Sequence, residues 1–230
     1  MIPLRDPSPT RRQPIVTPAL IALCFAVFAY ELLVVTTGGD EALEGLARTW
    51  GLVPASLVRA VQSGRLLSPP VVAVLTSMFL HGGWAHILGN MLFLWIFGGR
   101  VEDRLGRLGF VAFYLVGGIA AAVGQTLENP ASTDPMIGAS GAISAVLGAY
   151  LVLFPRSRIQ SLVFLGFFYQ LLAVPAAALL VYWFLLQVID GIAALGSTDL
   201  TGGVAVFAHI AGFLAGAAIA LALRLRRSVG

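Results

Sequence analysis

The sequence predicts an all-α membrane protein of six transmembrane helices with both chain ends on the cytoplasmic side. Three observations lead there. Of the 230 residues, 58% are hydrophobic and only 11% charged, with a mean hydropathy of +0.91, whereas soluble domains carry about a quarter charged residues. Apolar runs long enough for a span of about 20 residues recur along the chain, separated by short polar stretches. Finally, all 14 basic residues are arginines, and 11 of them (5, 11, 12, 100, 104, 107, 156, 158, 224, 226 and 227) fall on one side of a six-span arrangement. Only Arg48, Arg59 and Arg65 fall opposite, a bias that assigns the crowded side to the cytoplasm. The net charge of +3 gives no nucleic-acid surface. The single cysteine, Cys24, excludes an intrachain disulfide and reads as a small packing residue.

Residues 1–14, with Arg5, Arg11, Arg12 and four prolines, read as a solvated cytoplasmic leader; 15–225 read as the membrane domain and 226–230 as a basic tail. The first run, Ile15 to Thr37, spans without a recognisable cleavage site and is read as a retained helix, roughly Val16 to Thr36. Glu31, near its outer end, reads as a carboxylate that meets water or a neighbouring polar group. From Gly38 to Pro70, charges interleave with Leu46, Trp50, Leu52 and Leu57, a pattern of short amphipathic helices on the outer leaflet. The block Val71 to Phe97 is interrupted at His81-Gly82-Gly83-Trp84, giving a loop or re-entrant piece and then a second span from Ala85. Gly98 to Arg107 reads as a charged turn, Leu108 to Leu127 as a third span with a small-residue packing face, and Ser140 to Phe154 as the fourth. Ser161 to Leu195 exceeds one span, so an interfacial piece precedes a fifth helix at Val174 to Ile192, with Pro175 in its first turn. Gly196 to Gly203 reads as an outer loop and Val204 to Leu223 as the sixth span.

Each even-numbered span ends in an arginine near the cytoplasmic face, which makes a depth scale at about 1.5 Å per helical residue. Ser140 lies 16 residues before Arg156, His209 lies 15 before Arg224, and His86 lies 14 before Arg100. All three therefore stand at one level, about 21 to 24 Å above a common plane and several ångströms inside the outer surface. Asn90 follows His86 by one helical turn on the same face. Taken alone, Ser140 is equally readable as a helix N-cap on a small-residue face, and His209 as an interhelical hydrogen-bonding residue. Their common depth favours chemistry, because a serine needs a base to act as a nucleophile and imidazole suits that task near neutral pH. Gly141, Ala145 and Gly148 on one helix, and Gly212 and Gly216 on the other, would allow the close approach that a short serine requires. His86 and Asn90, with the Ser140 N–H at a helix N-terminus, would then stabilise an oxyanion. Asp190 ends one helix and Asp199 lies in a loop, so the expectation is a Ser140–His209 dyad without a carboxylate. Zinc is the competing use of His81, His86 and His209, but the chain has no H-E-x-x-H helix, and His81 and His86 are five residues apart rather than four.

These residues resemble the rhomboid family of intramembrane serine proteases over most of the chain. Gly138-Ala139-Ser140-Gly141 is similar to the family's G-x-S-G nucleophile motif, His86-x-x-x-Asn90 to its H-x-x-x-N oxyanion motif, and Ala208-His209-x-x-Gly212-x-x-x-Gly216 to its base helix. Gly98-x-x-x-Glu102-x-x-x-Gly106 resembles the glycine-bounded charged segment after the second helix. The resemblance implies a six-helix rhomboid-like bundle, no cofactor, single-span transmembrane proteins in the lipid bilayer as substrates, and cleavage near the outer boundary through an acyl-enzyme on Ser140 with His209 as base. His81 resembles a loop histidine beside the site in bacterial members. Two features depart from the family pattern: Ser144 stands where an aromatic often packs against the base, and the Trp-Arg pair common in the first outer loop is absent. A catalytically silent membrane-binding or chaperone protein on the same fold is therefore the alternative function, ahead of a transporter, for which inverted repeats are lacking. The lysine-free composition and short ends suggest a prokaryotic plasma membrane, and the sequence leaves the oligomeric state open.

Overall fold

A computed structural model describes residues 1–165, 168–195 and 205–228, and they form nine α-helices and a small three-stranded sheet. The helices are α1 (Val16–Trp50), α2 (Pro54–Gln62), α3 (Pro69–Thr76), α4 (Trp84–Phe93), α5 (Gly99–Leu105), α6 (Arg107–Glu128), α7 (Ser140–Leu153), α8 (Ala176–Leu195) and α9 (Val206–Ser228). A π turn, Leu94–Gly98, joins α4 to α5. Four helices are long and apolar enough to cross a membrane: α1, α6, α8 and α9. A fifth candidate is the pair formed by the α3 segment and α4–α5, bent by 78° at residues 80–83. This break falls at the His81-Gly82-Gly83-Trp84 interruption, where the sequence predicts a loop or re-entrant piece.

Lipid is the natural solvent for the outside of this bundle, since Trp95, Leu108 and Ile189 are 64%, 87% and 59% exposed. The 14 residues of α7 rise only about 21 Å, and residues 141–150 are all buried. That helix runs through the middle of the protein between α6, α9 and the α4–α5 rod.

Two expectations are corrected. The fold is not purely helical: β1 (Ile2–Arg5), β2 (Arg158–Leu165) and β3 (Phe168–Pro175) form an antiparallel sheet in the order β1-β2-β3. The presumed solvated leader thus supplies an edge strand, and Pro175 ends β3 instead of opening a helix. β-Branched and aromatic residues in the 158–175 stretch fit a pleated ribbon as well as an interfacial helix, and pairing with distant Ile2 and Pro3 tips the balance. Below the sheet, Arg100 bonds Ser157 at 2.6 Å and pairs with Asp6, which also accepts from the Tyr150 hydroxyl. Second, the charged segment after the second span is helical, with the turn confined to Gly106 at φ +77°. The first span behaves as expected: α1 breaks at Gly39, whose φ of +73° and ψ of −173° are not helical, and a separate short helix follows to Trp50. The expected outer loop from Gly196 to Gly203, Asp199 within it, Val204, and the last two residues of the expected tail lie outside the described residues.

Glu102, 2% exposed, explains the Gly98-x-x-x-Glu102 spacing. Its carboxylate accepts the N–H groups of Ile15, Val16 and Thr17 and the Thr17 hydroxyl at 2.7–2.9 Å, capping α1 from another helix. A Cβ on Gly98 would press on Thr17 at 3.0 Å. Glu102→Ala strands those donors and is expected to cost about 2–4 kcal/mol, read as a lower midpoint of thermal unfolding in detergent. An unchanged midpoint contradicts the capping role.

Candidate active site

Ser140 sits at the first turn of α7 because the preceding loop is pinned on two sides. Met136 and Leu52 exchange backbone hydrogen bonds at 2.7 and 2.9 Å, and the Gly138 N–H donates to the Ser77 carbonyl at 2.8 Å. Gly138 has φ +123°, and a Cβ there would meet the His86 Nε2 at 2.6 Å and lie 3.7 Å from the Asn90 Nδ2. Both donor-bearing side chains of α4 are thus drawn up against the backbone just before Ser140. The cap residue of α7 is Ala139, so the Ser140 side chain is not spent as an N-cap. It meets His209 instead, with Oγ and Nε2 2.8 Å apart.

Close backbone packing makes that distance possible. A Cβ on Gly212 would fall 2.2 Å from the Gly141 carbonyl oxygen, and one on Gly216 would fall 2.0 Å from that of Ala145. The reverse contact is Gly148 against the Phe213 carbonyl at 2.0 Å, while Gly141 faces Ala121 of α6. Gln125 of α6 accepts the Ala208 N–H at 3.1 Å, fixing the start of α9 next to His209.

Around the pair, His86 is half-buried and Asn90 is buried. The Asn90 Nδ2 has no hydrogen-bond partner, which for a buried amide calls for an explanation. It is a donor available to an oxygen placed against the backbone at Gly138. His81 lies deeper, 1% exposed, its ring 5.2 Å from that of His86 and its Nδ1 3.1 Å from the Phe79 carbonyl. The His81 backbone N–H donates to both Glu31 carboxylate oxygens at 3.0 and 3.1 Å. Glu31 thus meets a neighbouring polar group and ties α1 to the loop beneath the site. No group of three or more His, Cys, Asp or Glu suited to a metal occurs among the described residues.

Two features of His209 escape the sequence reasoning. Its Nδ1 lies 2.6 Å from Gln187 Oε1 on α8, and the Trp183 ring lies 6.0 Å from its own. The Ser144 hydroxyl donates to the Ser140 carbonyl at 2.7 Å and faces Gly212, so the His209 ring is contacted from α8 and not from position 144. The signal for Gln187 was present: it is a carboxamide in the middle of an apolar span, the anomaly that singled out Ser140.

A model of the rhomboid domain matches residues 69–226. Among similar proteins are "Rhomboid protease GluP" of Bacillus subtilis, 35% identical over 139 residues, or 60% of this chain and 24% of that protein. "Rhomboid protein 1, mitochondrial" of Saccharomyces cerevisiae is 35% identical over 97 residues, 40% of this chain and 28% of the relative. "Putative rhomboid protease YdcA" of Bacillus subtilis is 33% identical over 78 residues, 34% of this chain and 39% of the relative. The chain spans about a quarter to two fifths of the length of these curated relatives. The matched segment runs from α3 through the Ser140–His209 contact to α9, and with its apolar helices this chain is an integral membrane protein that belongs to the rhomboid family.

Proposed function

We propose that this chain is an intramembrane serine endopeptidase that cleaves single-span transmembrane proteins near the outer membrane boundary. One observation carries this assignment: the 2.8 Å contact between Ser140 Oγ and His209 Nε2 beside a buried, unpartnered Asn90 amide. In the reaction, His209 takes the Ser140 proton as Oγ attacks the scissile carbonyl carbon. The oxyanion accepts hydrogen bonds from the Ser140 N–H, Asn90 Nδ2 and His86. His209 then hands its proton to the leaving amine, giving an acyl-enzyme and freeing one product. Water, deprotonated by His209, attacks the ester, and collapse returns the proton to Ser140. No cofactor enters this scheme.

A peptide held in a transmembrane helix hides its carbonyls in i→i+4 bonds, so substrates with helix-weakening residues near the outer boundary are favoured. In the proposed topology, α1, α4–α5, α6, α7, α8 and α9 are six spans with both ends cytoplasmic and the site toward the outside. The lysine-free arginine bias favours a prokaryotic plasma membrane. Purified protein in liposomes with a single-span substrate tests the activity: two fragments are expected, with the new N-terminus, read by mass spectrometry, at the outer boundary. Absence of cleavage, together with absence of fluorophosphonate labelling at Ser140, would sink the proposal in favour of a silent family member. Asn90→Ala is expected to lower kcat by about 10²–10³ with little change in KM, since its amide would bind the oxyanion more strongly than the ground-state carbonyl. Steady-state kinetics check this, and a change confined to KM contradicts it.

A further inference from the structure

We infer that Gln187 is the positioning residue of the general base, holding His209 in the tautomer that can accept the Ser140 proton. This rests on the protease reading of Ser140 and His209. A neutral imidazole carries its proton on either nitrogen, and only the Nδ1–H form leaves a lone pair on Nε2. With Gln187 Oε1 2.6 Å from Nδ1, that nitrogen donates, and Nε2 faces the Ser140 hydroxyl at 2.8 Å. As the proton arrives at Nε2, the Nδ1–H bond becomes charge-assisted, so it strengthens toward the transition state.

A carboxamide also suits the location. It accepts a hydrogen bond without placing a fixed charge among apolar helices, and the one carboxylate of α8, Asp190, is exposed. No other described side chain takes this place: the Ser144 hydroxyl is bonded to the Ser140 carbonyl, and Trp183 offers only its ring. Because the bond crosses from α8 to α9, base orientation depends on how those helices pack. One turn beyond Gln187 they are in contact, where a Cβ on Gly191 would touch Val206 and Ile210 at 3.4 Å.

The test compares wild type, Gln187→Leu and Gln187→Glu in liposomes, with kinetics across pH, Ser140 labelling and thermal midpoints. Gln187→Leu should lower kcat about tenfold to a hundredfold with KM unchanged. Gln187→Glu keeps the acceptor and should restore kcat to within a few-fold of wild type. It should also move the acidic limb of kcat/KM to higher pH, because a carboxylate favours the imidazolium. Wild-type kcat and pH profile in Gln187→Leu overturn the inference. A Gln187→Glu protein as impaired as Gln187→Leu, with its acidic limb unmoved, does so too. Should Gln187→Leu melt below the assay temperature, the limb of Gln187→Glu alone decides: a shift supports the role and an unmoved limb overturns it. A wild-type protein that neither cleaves nor labels refutes the protease reading itself, whereas wild-type turnover matched by Gln187→Leu refutes only the role of Gln187.

Discussion

Ser140→Ala is expected to abolish cleavage of a single-span substrate, with the rate falling by about 10⁴-fold or more. In the proposed mechanism this hydroxyl is the attacking atom, and the nearest other hydroxyl on α7, that of Ser144, is directed at the Ser140 carbonyl. The variant should fold normally, because Ser140 makes no capping bond and alanine suits the first turn of a helix. Matched liposomes with equal amounts of wild type and variant, followed by fragment yield and fluorophosphonate labelling, check this. Turnover in the variant equal to wild type would remove Ser140 from the mechanism.

Gly216→Val is expected to have a comparably large effect by a different route. The added Cβ would stand 2.0 Å from the Ala145 carbonyl oxygen and 2.6 Å from the carbonyl carbon and Cα. These are backbone atoms of α7, so relief requires the helices to separate and not merely a side chain to turn. Overpacking of this severity costs about 3–5 kcal/mol. Gly212, one turn nearer His209, faces the Gly141 carbonyl next to Ser140, so the same separation lengthens the Ser140–His209 contact. A lower thermal midpoint together with lost labelling is the expected result. Gly89→Ala is the control: a Cβ there meets nothing within 4 Å, and midpoint and rate should stay near wild type.

Much of the site was legible because bilayer chemistry makes polar residues conspicuous. Ser140, His209, His86 and Asn90 stand out in apolar helices, and Ser140, His209 and His86 stand at similar spacings from the arginines that follow them. Sequence spacing yields helical rise, but it does not yield the rotation of one helix against another. For that reason Gln187, on a helix with no charge ruler beside the site, escaped notice although it lies 2.6 Å from His209. Glu31 was read as satisfied by some polar neighbour, but which one depended on the bend that brings the His81 N–H to it.

The small sheet was missed for a related reason. Strand pairing between Ile2 and Leu162 joins residues far apart in the chain, and nothing local in either segment records its partner. A β-rich stretch and an interfacial helix have similar compositions, and long-range hydrogen bonding chooses between them.

The sequence by itself determined that the chain is a membrane protein, where its main apolar helices lie, and how far along a helix Ser140, His86 and His209 each stand from the arginine that follows. Each follows from composition and helical rise, which are properties of one segment at a time. The tertiary structure alone decided that Gly212 and Gly216 meet carbonyl oxygens of α7, that Glu102 caps α1, that the first residues form a strand, and that Gln187 reaches His209. These depend on the relative rotation and pairing of separate segments, which packing in three dimensions fixes.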